Sequence, residues 1–207
     1  MRAMPNEAET ELARSRRPLI FGGSFDPPHR AHVELPRLVA EAIDADLIVY
    51  VPAGRAPHKL DRKQTDPMHR LAMLRRAVEG VPDAVVWPGE IERAGDGRPS
   101  YTVETLETLR GLMPIDAVPR LLIGSDQVAI FETWKDWRRI VELAEPVVMV
   151  RPPDRVDDLP AAWRGRVVEL PAMDVSSTRL REAGRVGWGQ DLAPGVAGYI
   201  EKHGLYR

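Results

Sequence analysis

The sequence predicts an α/β domain built on a doubly wound parallel sheet, and three observations carry that prediction. Short apolar runs alternate with helical patterns along most of the 207 residues. The runs LIVYVP (47–52), RLLIG (120–124) and PVVMV (146–150) lack period-two alternation, as strands buried on both faces do. Strands that alternate with helices in this way join through right-handed crossovers into one sheet. Such a sheet binds ligands beyond the carboxyl ends of its strands, at the point where strand order reverses.

In chain order the strand candidates are Pro18–Gly22, Leu47–Pro52, Ala84–Trp87, Arg120–Gly124, Pro146–Val150 and Val167–Leu170. Helix candidates lie between and after them, at Arg30–Ile43, Pro67–Glu79, Tyr101–Met113, Trp134–Leu143, Ser176–Ala183 and Pro194–His203. In the third of these, Val103, Leu106, Leu109, Leu112 and Met113 fall near one face. Pro36 sits inside the first, so a kink or a helix boundary is expected there. Arg55–Asp66 and Gly89–Ser100 read as long mobile loops, of the kind that serve as lids or substrate contacts. Residues 1–17 read as a disordered leader, and residues 18–207 as a single domain.

Composition narrows the function classes. A formal net charge of −2 argues against bulk electrostatic binding to nucleic acid or an anionic membrane, while leaving room for a local basic pocket. The chain has no cysteine, which removes disulfides, thiolate catalysis and zinc-thiolate sites. The charged leader lacks the apolar stretch of a signal peptide, so a cytoplasmic location is expected. Oligomeric state is not written in the composition.

Two segments carry the chemistry. The first strand runs into Gly22-Gly23-Ser24-Phe25-Asp26-Pro27-Pro28-His29-Arg30-Ala31-His32. Glycines at a strand end let a ligand approach the backbone, and a helix starting near His29 aims free N–H groups at it. His29 and His32, three apart, share a face of the first turn. Near the other end, Val175-Ser176-Ser177-Thr178-Arg179-Leu180-Arg181 opens a helix with three hydroxyl residues, which cap well and leave N–H groups for an anion. Arg181 lies close enough in sequence to face the same oxyanion, and its guanidinium fork suits phosphate. The plainer readings are a turn with two surface histidines and an ordinary capped helix.

Three further segments have two readings each. His58 and Lys59 are either solvated or bind a phosphate. Thr102, in Pro99-Ser100-Tyr101-Thr102, is either a helix cap or a substrate contact. Asp126, after Gly124-Ser125, either caps a helix or accepts from ribose hydroxyls. Trp134 and Trp137 are either core or a platform for a cationic ring, an attraction of roughly 0.5–2 kcal/mol.

The string at 22–32 resembles the G-G-[ST]-F-D-P-x-H-x-G-H signature of the nucleotidyltransferase superfamily, with Ala31 where that pattern has glycine. The segment at 175–181 resembles the I-S-S-T-x-[IL]-R motif of the same superfamily. The remaining segments, PHK, PSYTxxTL and GSDx7W, resemble those of the bacterial nicotinate-nucleotide adenylyltransferases in order and spacing. The resemblance implies a Rossmann-like sheet of the nucleotidyltransferase type. It implies adenylyl transfer from ATP to nicotinate mononucleotide, giving deamido-NAD and pyrophosphate. Catalytic roles fall on His29, His32, Lys59 and Arg181. ATP contacts fall on Gly22, Gly23, Ser24, Phe25, His32, Gly124, Asp126, Ser176, Ser177, Thr178 and Arg181. Mononucleotide contacts fall on His58, Lys59, Thr102, Asp126 and Trp134. Mg²⁺ is expected as a cofactor held by substrate oxygens and water rather than by protein carboxylates. The alternatives are a related enzyme acting on nicotinamide mononucleotide or pantetheine phosphate, and an inactive nucleotide-binding module.

Overall fold

The computed structural model describes residues 6–55, 64–94, 98–184 and 188–207. Six strands form one all-parallel sheet: β1 (Pro18–Gly23), β2 (Leu47–Pro52), β3 (Ala84–Val86), β4 (Arg120–Gly124), β5 (Glu145–Val150) and β6 (Val167–Glu169). Their spatial order is β3-β2-β1-β4-β5-β6, so the winding reverses between β1 and β4. Both strands end there in glycine, at Gly22-Gly23 and Gly124, which opens a crevice at the switch point.

Every strand of the sequence reading is present, and the missing alternation has its expected cause. Leu19 and Phe21 of β1 pack into one core with Ile48 and Tyr50 of β2. Ile20 of β1 points the other way, into a second core with Leu47, Val49 and Val51. Helices α2 (Arg30–Ala42), α3 (Pro67–Val78), α8 (Ser177–Ala183) and α9 (Val196–His203) contribute to the first core. Helices α1 (Glu7–Leu12), α5 (Thr102–Arg110) and α7 (Trp137–Leu143) contribute to the second. Two shorter helices complete the described set, α4 (Gly89–Arg93) and α6 (Ser125–Val128).

Three expectations are corrected and one is narrowed. The leader is not wholly disordered: Asn6 and Glu9 close a capping box on α1, and Ala8 and Leu12 are buried against β2 and β3. The loop expected from Gly89 begins instead as α4, with Ile91 buried. Of the two outcomes expected at Pro36, a kink or a boundary, the boundary is absent: α2 runs through the buried proline, whose missing N–H would have paired with the carbonyl of His32 one turn earlier. Trp134 precedes its helix: it is extended (φ −68°, ψ 143°), and α7 starts three residues later, after Asp136 in the left-handed region. Among the described residues no helix is long and apolar enough to cross a membrane.

Candidate active site

The crevice at the switch point is a cavity of about 470 Å³. Its walls include ten of the residues singled out from sequence: Gly22, Gly23, Ser24, His29, His32, Thr102, Gly124, Asp126, Trp134 and Ser176. They come from the ends of β1 and β4, the first turn of α2, and the starts of α5, α6 and α8, with Trp134 from the segment just before α7.

The loop after β1 delivers the histidines. Phe25, in the left-handed region (φ 49°), sends its ring into the core rather than into the cavity, against Phe21 and Tyr50. The same ring meets His32 edge-on at 5.1 Å, so Phe25 supports the histidine from below. His29 caps α2 and is almost wholly buried, with its ring stacked on His32 at 3.6 Å between centroids. The backbone N–H of His29 donates to Nδ1 of His32 at 3.2 Å, half of a capping box. A neutral imidazole that accepts at Nδ1 carries its proton on Nε2. Burial, with the nearby Arg151 guanidinium adding to it, lowers the His29 pKa to about 4, so that imidazole is neutral at neutral pH.

The segment at 175–181 folds onto that same loop. Ser176 caps α8 by accepting from the N–H of Arg179 at 3.3 Å. The Ser177 hydroxyl donates to the carbonyl of Pro27 at 2.9 Å, across 150 residues of chain. Arg181 donates to the carbonyl of Asp26 and, at 3.2 Å, to the Thr178 hydroxyl. Ser177, Thr178 and Arg181 thus brace the histidine loop from the flank, with Ser176 on the cavity wall.

Asp126 stands in the first turn of α6, which Gly124 caps, so its carboxylate is not the cap. A Cβ at Gly124 would come 2.4 Å from Oδ1 of Asp126, so glycine here leaves room for that carboxylate in its present rotamer. The Trp134 ring packs on Phe131 at 5.2 Å, while its buried Nε1 has no hydrogen-bond partner among the described residues. Trp134 and Thr102 also line a smaller hollow of about 250 Å³. His58 and Lys59 lie outside the described residues.

The sequence reading missed three charged side chains. Arg151 lines the cavity one residue beyond the end of β5, a position open to inspection once the strand was recognised. Glu90, on α4, lines it with a buried carboxyl that burial pushes above the ordinary glutamate range. Arg70, on α3, is wholly buried behind it, and its guanidinium donates to the carbonyls of Thr65, Ser24 and Gly54 at 2.9–3.0 Å. Nothing in the local pattern around Glu90 or Arg70 separates them from solvated charges. Among the described residues no group of three or more His, Asp or Glu is placed to hold a metal ion.

The chain matches the cytidylyltransferase-like family over residues 20–183. It is 34% identical to a probable nicotinate-nucleotide adenylyltransferase of Chromobacterium violaceum, over 91% of this chain and 97% of that protein. It is 38% identical to the protein of that name in Corynebacterium glutamicum, over 96% of this chain and 92% of the relative. Its fold is shared with Plasmodium falciparum nicotinic acid mononucleotide adenylyltransferase, solved in complex with NaAD, at a TM-score of 0.70 and 18% identity over 92% and 97% of the two chains.

Proposed function

We infer the reaction from the family: the chain belongs to the cytidylyltransferase-like family and, within it, to the nicotinate-nucleotide adenylyltransferases, and it transfers the adenylyl group of ATP to nicotinate mononucleotide. One observation carries the reading to this chain's own residues. The hydroxyl of Ser177 and the guanidinium of Arg181 are bonded to the loop that bears His29 and His32, and their neighbour Ser176 lines the same crevice as the two histidines.

The mononucleotide phosphate attacks the α-phosphorus of ATP, and pyrophosphate leaves. With a second pKa of about 6 the nucleophile is already largely dianionic at neutral pH, and no general base is required. The barrier is the approach of one anion to another, so the protein's task is alignment and charge neutralisation. We assign the triphosphate to His29, His32, the α8 N-terminus and Arg181. The Nε2–H of His32 donates where charge develops on the leaving oxygen. The neutral state of His29 at neutral pH suits a donor that also needs no counter-ion in a buried place. Arg151, beside His29, adds positive charge on the same side. An Mg²⁺ bound to the substrate ATP would offset negative charge at the triphosphate, and no carboxylate of the chain is assigned to hold it. On the opposite side, Asp126 takes ribose hydroxyls, and Thr102 and Trp134 bracket the pyridine. His58 and Lys59 are assigned to the mononucleotide phosphate.

Pyrophosphate release with ATP and each acceptor tests this. Nicotinate mononucleotide is expected to exceed nicotinamide mononucleotide and pantetheine phosphate by about tenfold or more in kcat/KM, because carboxylate and amide present opposite hydrogen-bond demands. ATP binding without pyrophosphate release for any acceptor would instead identify a nucleotide-binding module.

A further inference from the structure

One wall of the cavity carries a buried carboxyl group, that of Glu90, to which the reaction assigns no role. Glu90 is among the few buried charged residues of the described chain, and its side chain bonds in two directions. Toward α5 it accepts from the Thr105 hydroxyl at 2.7 Å. Toward the end of β2 it accepts from the backbone N–H of Gly54 at 3.4 Å. Arg93 donates to the same Thr105 hydroxyl at 3.3 Å, which brings a cation within one residue of the carboxylate.

The two segments joined by Glu90 are also sewn to each other. The N–H of Ser100 donates to the Arg55 carbonyl at 2.9 Å, and the N–H of Arg55 donates to the Ser100 hydroxyl at 3.4 Å. The fit is tight: any Cβ at Gly54 would come 2.3 Å from the Glu90 carbonyl oxygen and 2.8 Å from the Ser100 hydroxyl. Ser100 and Thr102, before and at the start of α5, line the cavity together with Trp134, while Gly54 leads in sequence towards His58 and Lys59.

An unpaired carboxylate in such a place would be costly, and an apolar side chain could fill the same volume. Direct contact with the acceptor is disfavoured as well, since the acceptor is itself anionic. What the carboxylate supplies is two acceptor oxygens on one rigid carbon, pointing at two different elements. We propose that Glu90 is a positioning residue for the acceptor mononucleotide: by joining Gly54 to Thr105 it sets the spacing between the loop after β2 and the first turns of α5. The inference rests on the adenylyl-transfer reading, because it is that reading which puts the mononucleotide between these elements. In the same reading ATP lies on the β1–β4 side, with the histidines.

The test compares Glu90→Ala and Glu90→Gln with the unchanged protein. KM is measured separately for ATP and for nicotinate mononucleotide, and nicotinate mononucleotide binding is measured by calorimetry without ATP. For Glu90→Ala, the acceptor KM and Kd are expected to rise about tenfold or more, with the ATP KM within about twofold. Glu90→Gln keeps an oxygen for Thr105 but presents an amide to the Gly54 N–H, so it is expected to fall between the two. If the alanine variant does not fold, the glutamine variant decides by the same split. A fall in thermal stability with both KM values unchanged, or raised in parallel, would overturn the proposal and leave Glu90 a fold residue. An unchanged protein that binds nicotinate mononucleotide without releasing pyrophosphate would refute the proposed reaction, and calorimetry on the variants would still decide the positioning role. An unchanged protein that binds none would overturn both.

Discussion

His32→Ala is expected to lower turnover about 10²-fold or more, with the KM for ATP changed only a few-fold. The expectation follows from how firmly the ring is held before any ligand arrives. Its Nδ1 accepts from the His29 N–H, one face stacks on the His29 ring, and Phe25 meets it in a T-shaped contact. These contacts fix both the tautomer and the direction of Nε2, so the donor costs little reorganisation when charge builds on the leaving oxygen. A contact made more strongly in the transition state than in the ground state appears in kcat rather than in KM. Alanine also removes half of the α2 capping box, a loss of about 1 kcal/mol that a thermal midpoint separates from the catalytic effect. Steady-state kinetics with ATP and nicotinate mononucleotide make the check. Near-normal turnover would remove the imidazole from the mechanism.

Arg70→Ala is expected to destabilise the protein by about 3–5 kcal/mol, the range for breaking a buried charged network. The guanidinium has no exposed surface and bonds to three carbonyls from three separate places: Ser24 in the histidine loop, Gly54 after β2, and Thr65 before α3. Burial lowers its pKa, with Asp26 the largest of the opposing charges, yet a guanidinium stays protonated far above neutral pH. Deleting it strands three carbonyl oxygens away from water and leaves a hole the size of the side chain. Arg70→Lys keeps the charge but not the fork, so it is expected to recover only a minor part. Urea midpoints read the effect. A loss under about 1 kcal/mol would mean that water replaces the guanidinium, and that the three loops are held by other contacts.

The sheet was legible because its strands are short and apolar on both sides; Leu19 and Ile20 serve different cores, which is why neither position reads as polar. The cavity wall was legible where a motif carried it, from Gly22 to His32 and at Ser176. Contacts that depend on tertiary placement were not. Glu90 lies in the charged run GEIERAGDG, and its burial comes from Gly54 and Thr105, neither a sequence neighbour. Arg70 on α3 looks like any helix-surface arginine until the loops close over it. The leader helix was within reach, since Asn6 and Glu9 stand at capping-box spacing with Ala8 and Leu12 four apart, but the surrounding charges outweighed them. Tyr206 is a similar case: its hydroxyl donates to Asp26 at 2.6 Å, a bond spanning 180 residues that no local pattern announces.

The central claim is that the loop at 22–32 and the helix start at 176–181 form one receptor for the triphosphate of ATP. A crystal structure with a non-hydrolysable ATP analogue tests it most directly. Phosphate oxygens are expected at about 3 Å from Nε2 of His32, with the α8 N-terminus and the Arg181 guanidinium on the same phosphate chain. A triphosphate seated elsewhere, such as the hollow lined by Arg37, Glu41 and Asp83 at the amino ends of β2 and β3, would contradict it.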